Sequence, residues 1–305
     1  MPTLRQLRYL VAIADERHFG RAAQRVNVAQ PTLSAQFAEL ERKLGVRLVE
    51  RSRSGVSITP LGREIVARAQ KVLVDVQEII NLAAAESSGI AGRLRLGVPP
   101  TLGPYLLPHV IPEMHERYPK LKLYVHEDTP REIQGRVASG DLDIILTPSP
   151  VENRALEVMP LFDEKLEIVC APDHRFASLD RITPEDLRGE KILTLEHGHY
   201  LHDQVRGLSN TFDAEILYDY EGTSLDTLRH MVGMGVGISF FPELYVLSEI
   251  RSHRELKVLQ LHGATLSRKL CIAWRTNSHA RHLGAQLQEL IRSAFESRHQ
   301  IELKA

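Results

Sequence analysis

Residues 19–45, FGRAAQRVNVAQPTLSAQFAELERKLG, decide how the N-terminal part of this chain folds. Phe19, Ala22, Ala23 and Val26 form one short apolar stripe, and Asn27 ends it with a side chain that tolerates a turn. Leu33, Phe37, Leu40 and Leu44 then recur at spacings of 4, 3 and 4 residues, the repeat of a single helix face. Pro31 suits a first helical position, and Gly45 suits a left-handed helix end. Upstream, Thr3 and Gln6 have the spacing of a capping box, and Leu7, Leu10, Val11 and Ala14 supply a third apolar face. Three short helices with one core, two of them joined by a tight turn, make a helix-turn-helix. The core leaves Gln30, Pro31, Thr32, Ser34 and Gln36 over at the start of the third helix. Short hydrogen-bonding side chains there suit base edges in a major groove, although a plain solvated helix start has the same residue types.

After Gly45 the stretch VRLVERSRSGVSIT, residues 46–59, reads as two β-prone runs about a Ser54-Gly55 turn. Arg47, Arg51 and Arg53 cluster there, with Arg51 and Arg53 the candidate phosphate contacts of a wing. Residues 1–60 hold ten Lys and Arg against five Asp and Glu, a net of +5, whereas the whole chain carries −1. Positive charge is therefore concentrated in the segment that would meet DNA.

A chain of 305 residues exceeds one typical domain, and 43% hydrophobic with 25% charged residues fits a folded, water-exposed protein. The first helix carries Arg5 and Arg8 and has no long apolar core or cleavage site, so the expected location is the cytoplasm, with no membrane partner. Cys170 and Cys271 have neither metal nor redox spacing, and reduced, buried thiols are the default reading.

Thr59-Pro60 opens a long helix to about Ser88. Along it Ile65, Ala69, Val72, Val76, Ile79 and Ala83 are separated by 4, 3, 4, 3 and 4 residues, a 3.5-residue repeat that makes a seam for a second helix. The seam predicts a dimer whose two recognition helices meet a two-fold site; packing on the chain's own C-terminal part is the competing use. Small residues follow from Ser87 to Gly92, and strands then alternate with helices. Strands are predicted at 93–98, 121–127 and 143–147, with helices at 103–118 and 131–139. A second lobe has strands near 166–171, 192–195, 215–220 and 237–240, before residues 270–274 and a helix at 280–297 return to the first. The expected organisation is a winged helix-turn-helix at 1–59, a linker helix at 60–88 and an α/β effector domain at 89–305. Its lobe I spans about 91–163 and 269–305, and lobe II about 164–268.

The order of these parts, and the stretches FGRAAQRVNVAQPTLSAQFAELERKLGVRLVERS, RLRLGVPPTLGPYLLPHVIP and TSLDTLRHMVGMGVGISFFP, resemble the LysR-type transcriptional regulators over the full length. GPYLLPHVIP, PLFDEKL and GEKILTLEHGHYLHDQ are most similar to the peroxide-sensing OxyR branch. The resemblance implies a periplasmic-binding-protein-like effector domain and a homodimer or homotetramer. It also implies a peroxidatic cysteine directly after the Gly-His of the last motif and a resolving cysteine nine residues on, positions held here by Tyr200 and Ser209. A phenol and a hydroxyl form no sulfenic acid or disulfide, which leaves that redox switch without its chemistry. His199, Asp203 and Arg268 occupy places that resemble the polar pocket around the missing thiol.

Ligands of such lobes lie beyond strand ends, at helix starts. Thr101, Thr223 and Ser224 stand there, an arrangement that favours a carboxylate or other small anion, and Thr129, Thr147, His199, Tyr200 and His202 complete the wall by family position. An ordinary helix cap explains each hydroxyl singly. His197, His199 and His202 lack partners at metal-binding spacing, and Gly233, Gly235 and Gly237 precede a strand, the reverse of a dinucleotide loop. No catalytic motif appears, so neither an enzyme nor a cofactor is expected. The expected function is effector-controlled, sequence-specific binding of promoter DNA. A thiol-based regulator using Cys170 or Cys271 is the alternative, and a solute-binding protein the remote one.

Overall fold

The computed structural model describes residues 1–52, 55–86, 92–179, 181–251, 256–264, 266–276, 278 and 280–302. They form two compact units, Met1–Ser87 and Ser88–Ala305.

In the first unit α1 spans Leu4–Glu16, α2 Phe19–Arg25 and α3 Gln30–Leu44. The Thr3–Gln6 capping box forms, with both reciprocal bonds present. His18 caps α2, its Nδ1 accepting from Gly20 N and Arg21 N, a role the sequence reading misses. Asn27 (φ 55°) and Gly45 (φ 70°) take the left-handed conformation expected of them. Pro31 falls on the second residue of α3, since Gln30 begins the helix. Tyr9, Leu10, Ile13, Ala22, Leu33, Phe37 and Leu40 pack into one core, where Phe19 meets Phe37 edge-on with centroids 5.7 Å apart. Truncating one such buried leucine to alanine costs about 2–5 kcal/mol.

The strands β1 (Val49–Ser52) and β2 (Gly55–Ile58) pair antiparallel, with Ser52 opposite Gly55, so Gly55 opens a strand rather than closing the turn. The Glu41 carboxylate accepts from Leu48 N at 2.6 Å and Val49 N at 3.3 Å, and so fixes the hairpin to α3. Helix α4, Pro60–Glu86, starts at Thr59, whose hydroxyl accepts from Gly62 N at 2.9 Å.

The second unit holds β3 (Gly92–Val98), α5 (Gly103–Arg117), β4 (Leu121–Glu127), α6 (Pro130–Ser139), β5 (Ile144–Pro148), β6 (Leu156–Cys170), β7 (Lys191–Leu195), α7 (Tyr200–Phe212), β8 (Glu215–Gly222), α8 (Leu225–Gly233) and β9 (Ile238–Pro242). A short helical turn α9 (Glu243–Tyr245) runs into a π turn at Val246–Ile250, followed by β10 (Lys257–Leu259), β11 (Ser267–Arg275) and α10 (Ala280–Glu302). Strand order is β4-β3-β5-β11-β6-β9-β7-β8, with β10 added on β6. The β3 pairings with β4 and β5, and the β7 pairings with β8 and β9, are parallel, as expected where helices cross between strands.

Strand β6 makes the two-lobed form. Its first half pairs with β11 and its second half with β9 and β10, so one strand passes from lobe I into lobe II. The sequence predicts a strand only from Leu166. The ten residues before it, LEVMPLFDEK, carry a proline and four charges that hide a crossing strand.

Candidate DNA interface and effector cleft

In α3 the apolar stripe is buried and Gln30, Pro31 and Thr32 are exposed, while Ser34 is half-buried. Gln36 is also half-buried, and its Oε1 accepts from Nε2 of the buried Gln6 in α1 at 3.3 Å. It braces two helices and is the least available of the five expected base contacts. Arg51 lies on β1 opposite Val56, whereas Arg53 lies outside the described residues. The seam divides along its length. Ile65 and Ala69 pack into the first unit's own core, α1 lying against α4, a use of these residues not foreseen from the spacing. Val72 and Ile79 are 42% and 65% exposed, and Val76 is half-buried. Ala83 lies in α4, but its side chain is outside the described ones.

The centre of the second unit is a buried ion pair on the two central strands. Arg268 of β11 faces Glu164 of β6, Nε donating to Oε2 at 2.7 Å. Arg268 also donates from Nη1 to the Thr101 hydroxyl at 3.1 Å and from Nη2 to the Thr101 carbonyl at 2.9 Å. The second oxygen of Glu164 accepts from Leu244 N at 3.0 Å, at the start of α9. Thr101 and Arg268 thus meet as expected, but in a closed network that consumes both.

Around it, Cys271 of β11 faces Thr147 of β5, and its thiol donates to the Thr147 carbonyl at 3.3 Å. Thr129 caps α6, its hydroxyl accepting from Glu132 N. Gly198 of lobe II comes up to Thr129 of lobe I: a Cβ built on it would lie 3.8 Å from the threonine methyl. Gly198, two residues before Tyr200, therefore lies near Thr129 of the other lobe. Burial raises the Tyr200 phenol pKa above its ordinary value, with Glu152, Asp203 and Cys271 adding to the effect. Burial lowers that of His199, helped by His202 and opposed by Glu196. His202 is fully buried and its Nδ1 donates to the Leu195 carbonyl at 2.7 Å, a partner that can only accept. Asp203 is exposed and pairs with Arg206 at 3.5 Å. Ser224 caps α8 on Thr227 N, and Thr223 is exposed beside it.

The helix starts expected to favour an anion differ in charge, since α5, after Thr101, has no acidic residue in its first turn. Helices α6, α7 and α8 carry Glu132, Asp203 and Asp226 in their first turns, and carboxylates there offset the helix dipole. Both cysteines are free and buried. Burial pushes the Cys170 thiol up to about 11, with Glu190 adding to it, and the Cys271 thiol up to about 12. Among the described residues no group of three His, Cys, Asp or Glu is placed to hold a metal ion, and no helix is long and apolar enough to cross a membrane.

A winged helix-turn-helix followed by a two-lobed α/β unit defines a DNA-binding regulator with a separate effector domain. The chain belongs to the LysR family of bacterial transcriptional regulators. Residues 4–63 match the family's regulatory helix-turn-helix domain and residues 87–296 its substrate binding domain. The hydrogen peroxide-inducible genes activator of Pectobacterium carotovorum subsp. carotovorum is 39% identical over 293 residues, 96% of this chain and 97% of that protein. The DNA-binding transcriptional dual regulator OxyR of Escherichia coli (strain K12) is also 39% identical, over 96% of each chain. The regulator EstR of Acinetobacter baylyi is 35% identical over 91% of this chain and 92% of its own. In three dimensions a full-length OxyR variant from Pseudomonas aeruginosa matches with a TM-score of 0.77 at 38% identity, covering 96% of this chain and 95% of that one.

Proposed function

We propose that this regulator binds promoter DNA as a homodimer or a larger homo-oligomer in the cytoplasm, and that a small effector in the inter-lobe cleft controls it. The observation that carries the reading is the exposed start of α3, Gln30 to Thr32, on a helix whose other face is consumed by the core. Thr32 and Ser34 read base edges, while Arg51 and Arg53 hold phosphate. The exposed Val72 and Ile79, one heptad apart on α4, support a helix pair. The nearness of Gly198 to Thr129 of the other lobe, where an added Cβ would lie 3.8 Å from the threonine methyl, supports a ligand-sensitive closure beside Tyr200. An effector that binds closed lobes better than open ones shifts their population, with a coupling of about 1–3 kcal/mol typical.

Gel-shift selection from random DNA tests the first half. Thr32→Ala and Ser34→Ala change the selected sequence, whereas Arg51→Ala weakens binding to all sequences alike. Unchanged binding in all three would remove this docking mode. Tyr200→Trp, which crowds the turn at Gly198, tests the second half: an altered promoter footprint is expected, and an unaltered one counts against cleft control.

The names of the relatives favour a second reading, regulation by peroxide through thiols. With Tyr200 and Ser209 where the family motif has its cysteines, only Cys170 and Cys271 remain to serve it, and both are buried. If Cys170→Ser with Cys271→Ser abolishes a transcriptional response to peroxide, that reading replaces the effector.

A further inference from the structure

We infer that Gln6, a buried residue of α1, sets a base preference of the recognition helix by fixing which end of the Gln36 amide meets the major groove, an inference that rests on the DNA-binding reading above. A glutamine amide carries an acceptor oxygen and a donor nitrogen, and turning it over exchanges them. The way Gln6 lies is dictated by partners that can only donate. Its Oε1 accepts from Thr3 N at 3.1 Å and from Lys43 Nζ at 3.3 Å. A backbone N–H and an ammonium offer no lone pair, so the oxygen of Gln6 faces them and its Nε2 faces away. That nitrogen donates to Gln36 Oε1 at 3.3 Å. The atom of Gln36 turned toward α1 is therefore its oxygen, and its Nε2 is left with no protein partner among the described residues. Gln6 itself is 1% exposed, so it acts only through Gln36.

Gln36 stands one turn after the exposed Thr32, at the border of the buried Leu33, Phe37 and Leu40 stripe. One end of its amide can thus reach α1 while the other stays outside. In the major groove guanine N7 and O6, adenine N7 and thymine O4 accept, whereas the amino groups of cytosine and adenine donate. A glutamine with both ends free suits adenine, taking N6–H on its oxygen and giving an N–H to N7. With the oxygen drawn back onto Gln6, the group facing the groove is an NH2. Guanine, with two acceptors, fits it best, and the cytosine amino group meets it donor to donor.

Selection from random DNA with the full-length protein tests this, the position read by Gln36 being the one whose preference disappears in Gln36→Ala. The parent selects guanine there. Gln6→Met keeps the bulk and removes the bond, so the freed amide turns either way. Discrimination at that position falls roughly three- to tenfold, the size of one hydrogen bond, while preferences elsewhere hold. Gln6→Glu reverses the preference. One of its oxygens serves Thr3 N and Lys43 as before, and glutamate suits a capping box. The other can only accept, so the Gln36 amide turns its nitrogen inward and shows its oxygen, and cytosine or adenine replaces guanine on the same strand. A purely structural role for Gln6 would weaken binding to all sequences together and exchange no base. Where Gln6→Met does not fold, as circular dichroism reveals, the nearly isosteric Gln6→Glu carries the test. A parent that selects another base at that position, an unchanged consensus in Gln36→Ala, or parent-like selection by folded Gln6 variants each overturns the inference. The DNA-binding reading survives those outcomes if Thr32→Ala still alters its own position, and a parent that selects no sequence at all removes both.

Discussion

Arg268 and Glu164 face one another across β11 and β6, joined at 2.7 Å with side chains 1% and 0% exposed. They sit where β6 turns from its β11 partner toward β9, and they tie the Thr101 turn of lobe I to the start of α9 in lobe II. Two charges this deep are compensated only by each other and by the bonds to Thr101 and Leu244. Removing one leaves the other buried alone, which costs about 3–5 kcal/mol, so Arg268→Met and Glu164→Gln each lower the urea midpoint sharply. Combining Arg268→Met with Glu164→Leu recovers most of that loss, since an apolar pair of similar size owes no desolvation. Denaturant titration followed by the fluorescence of Trp274, the single tryptophan and a buried one on β11, measures this directly. Additive losses in the double variant would show that the pair is not coupled.

The thiols respond little to oxidants in the folded state. With Cys170 near 11 and Cys271 near 12, the thiolate fraction at pH 7 is on the order of 10⁻⁴ to 10⁻⁵, and the thiolate is the form that attacks. Both side chains are also covered. A disulfide-exchange reagent therefore labels neither thiol within minutes in buffer and both in denaturant, and intact mass after dilute peroxide is unchanged. A native thiol that reacts at once would revive the thiol-based reading.

The helix-turn-helix is legible because its signals are local: Thr3 with Gln6, Asn27 and Gly45 all act through bonds or backbone angles within a few residues. The helices α5 and α6 and the strands β3, β4, β5 and β7 emerge within two residues of expectation for the same reason. What escapes is set by distant partners. Glu164 looks like a surface acid until Arg268, 104 residues away, is placed opposite it, and Gln36 looks like an unconstrained base reader until Gln6 reaches it. His202 is grouped with the cleft wall from its position, yet its ring is turned onto the Leu195 carbonyl inside lobe II.

Glu167 gives a test with a definite sign. Burial raises its pKa above the ordinary glutamate value, with Glu243 adding to the shift and Arg251 opposing it, and its Oε2 is buried with no partner among the described residues. A folded-state pKa above the unfolded one means that the folded chain holds the proton more tightly. The stabilisation is full below the unfolded value of 4.5 and is lost as pH rises through the folded value. At pH 7 the ionised carboxylate is thus a liability. Glu167→Gln melts about 1 °C or more above the parent at pH 7, and the difference vanishes toward pH 4. A gain that grows in acid would contradict the assignment.

Ile79 is 65% exposed on α4, while Val66 and Ala69, three turns earlier on the same helix, are buried in the first unit. The helix therefore has an anchored beginning and an apolar stretch still available to a partner. A charge at Ile79 should disturb the pairing without unfolding the helix-turn-helix, whose core lies elsewhere. Ile79→Asp is expected to sediment with a lower mass than the parent at micromolar concentration, with helical content retained. Its affinity for a two-fold site falls about 100-fold toward that for a half-site, because the second head no longer benefits from tethering to the first. Val72→Asp, one heptad closer to the anchored end and 42% exposed, gives the same result. Parent-like mass and affinity in both variants would assign the exposed stripe to some other contact and remove the α4 seam from the dimer.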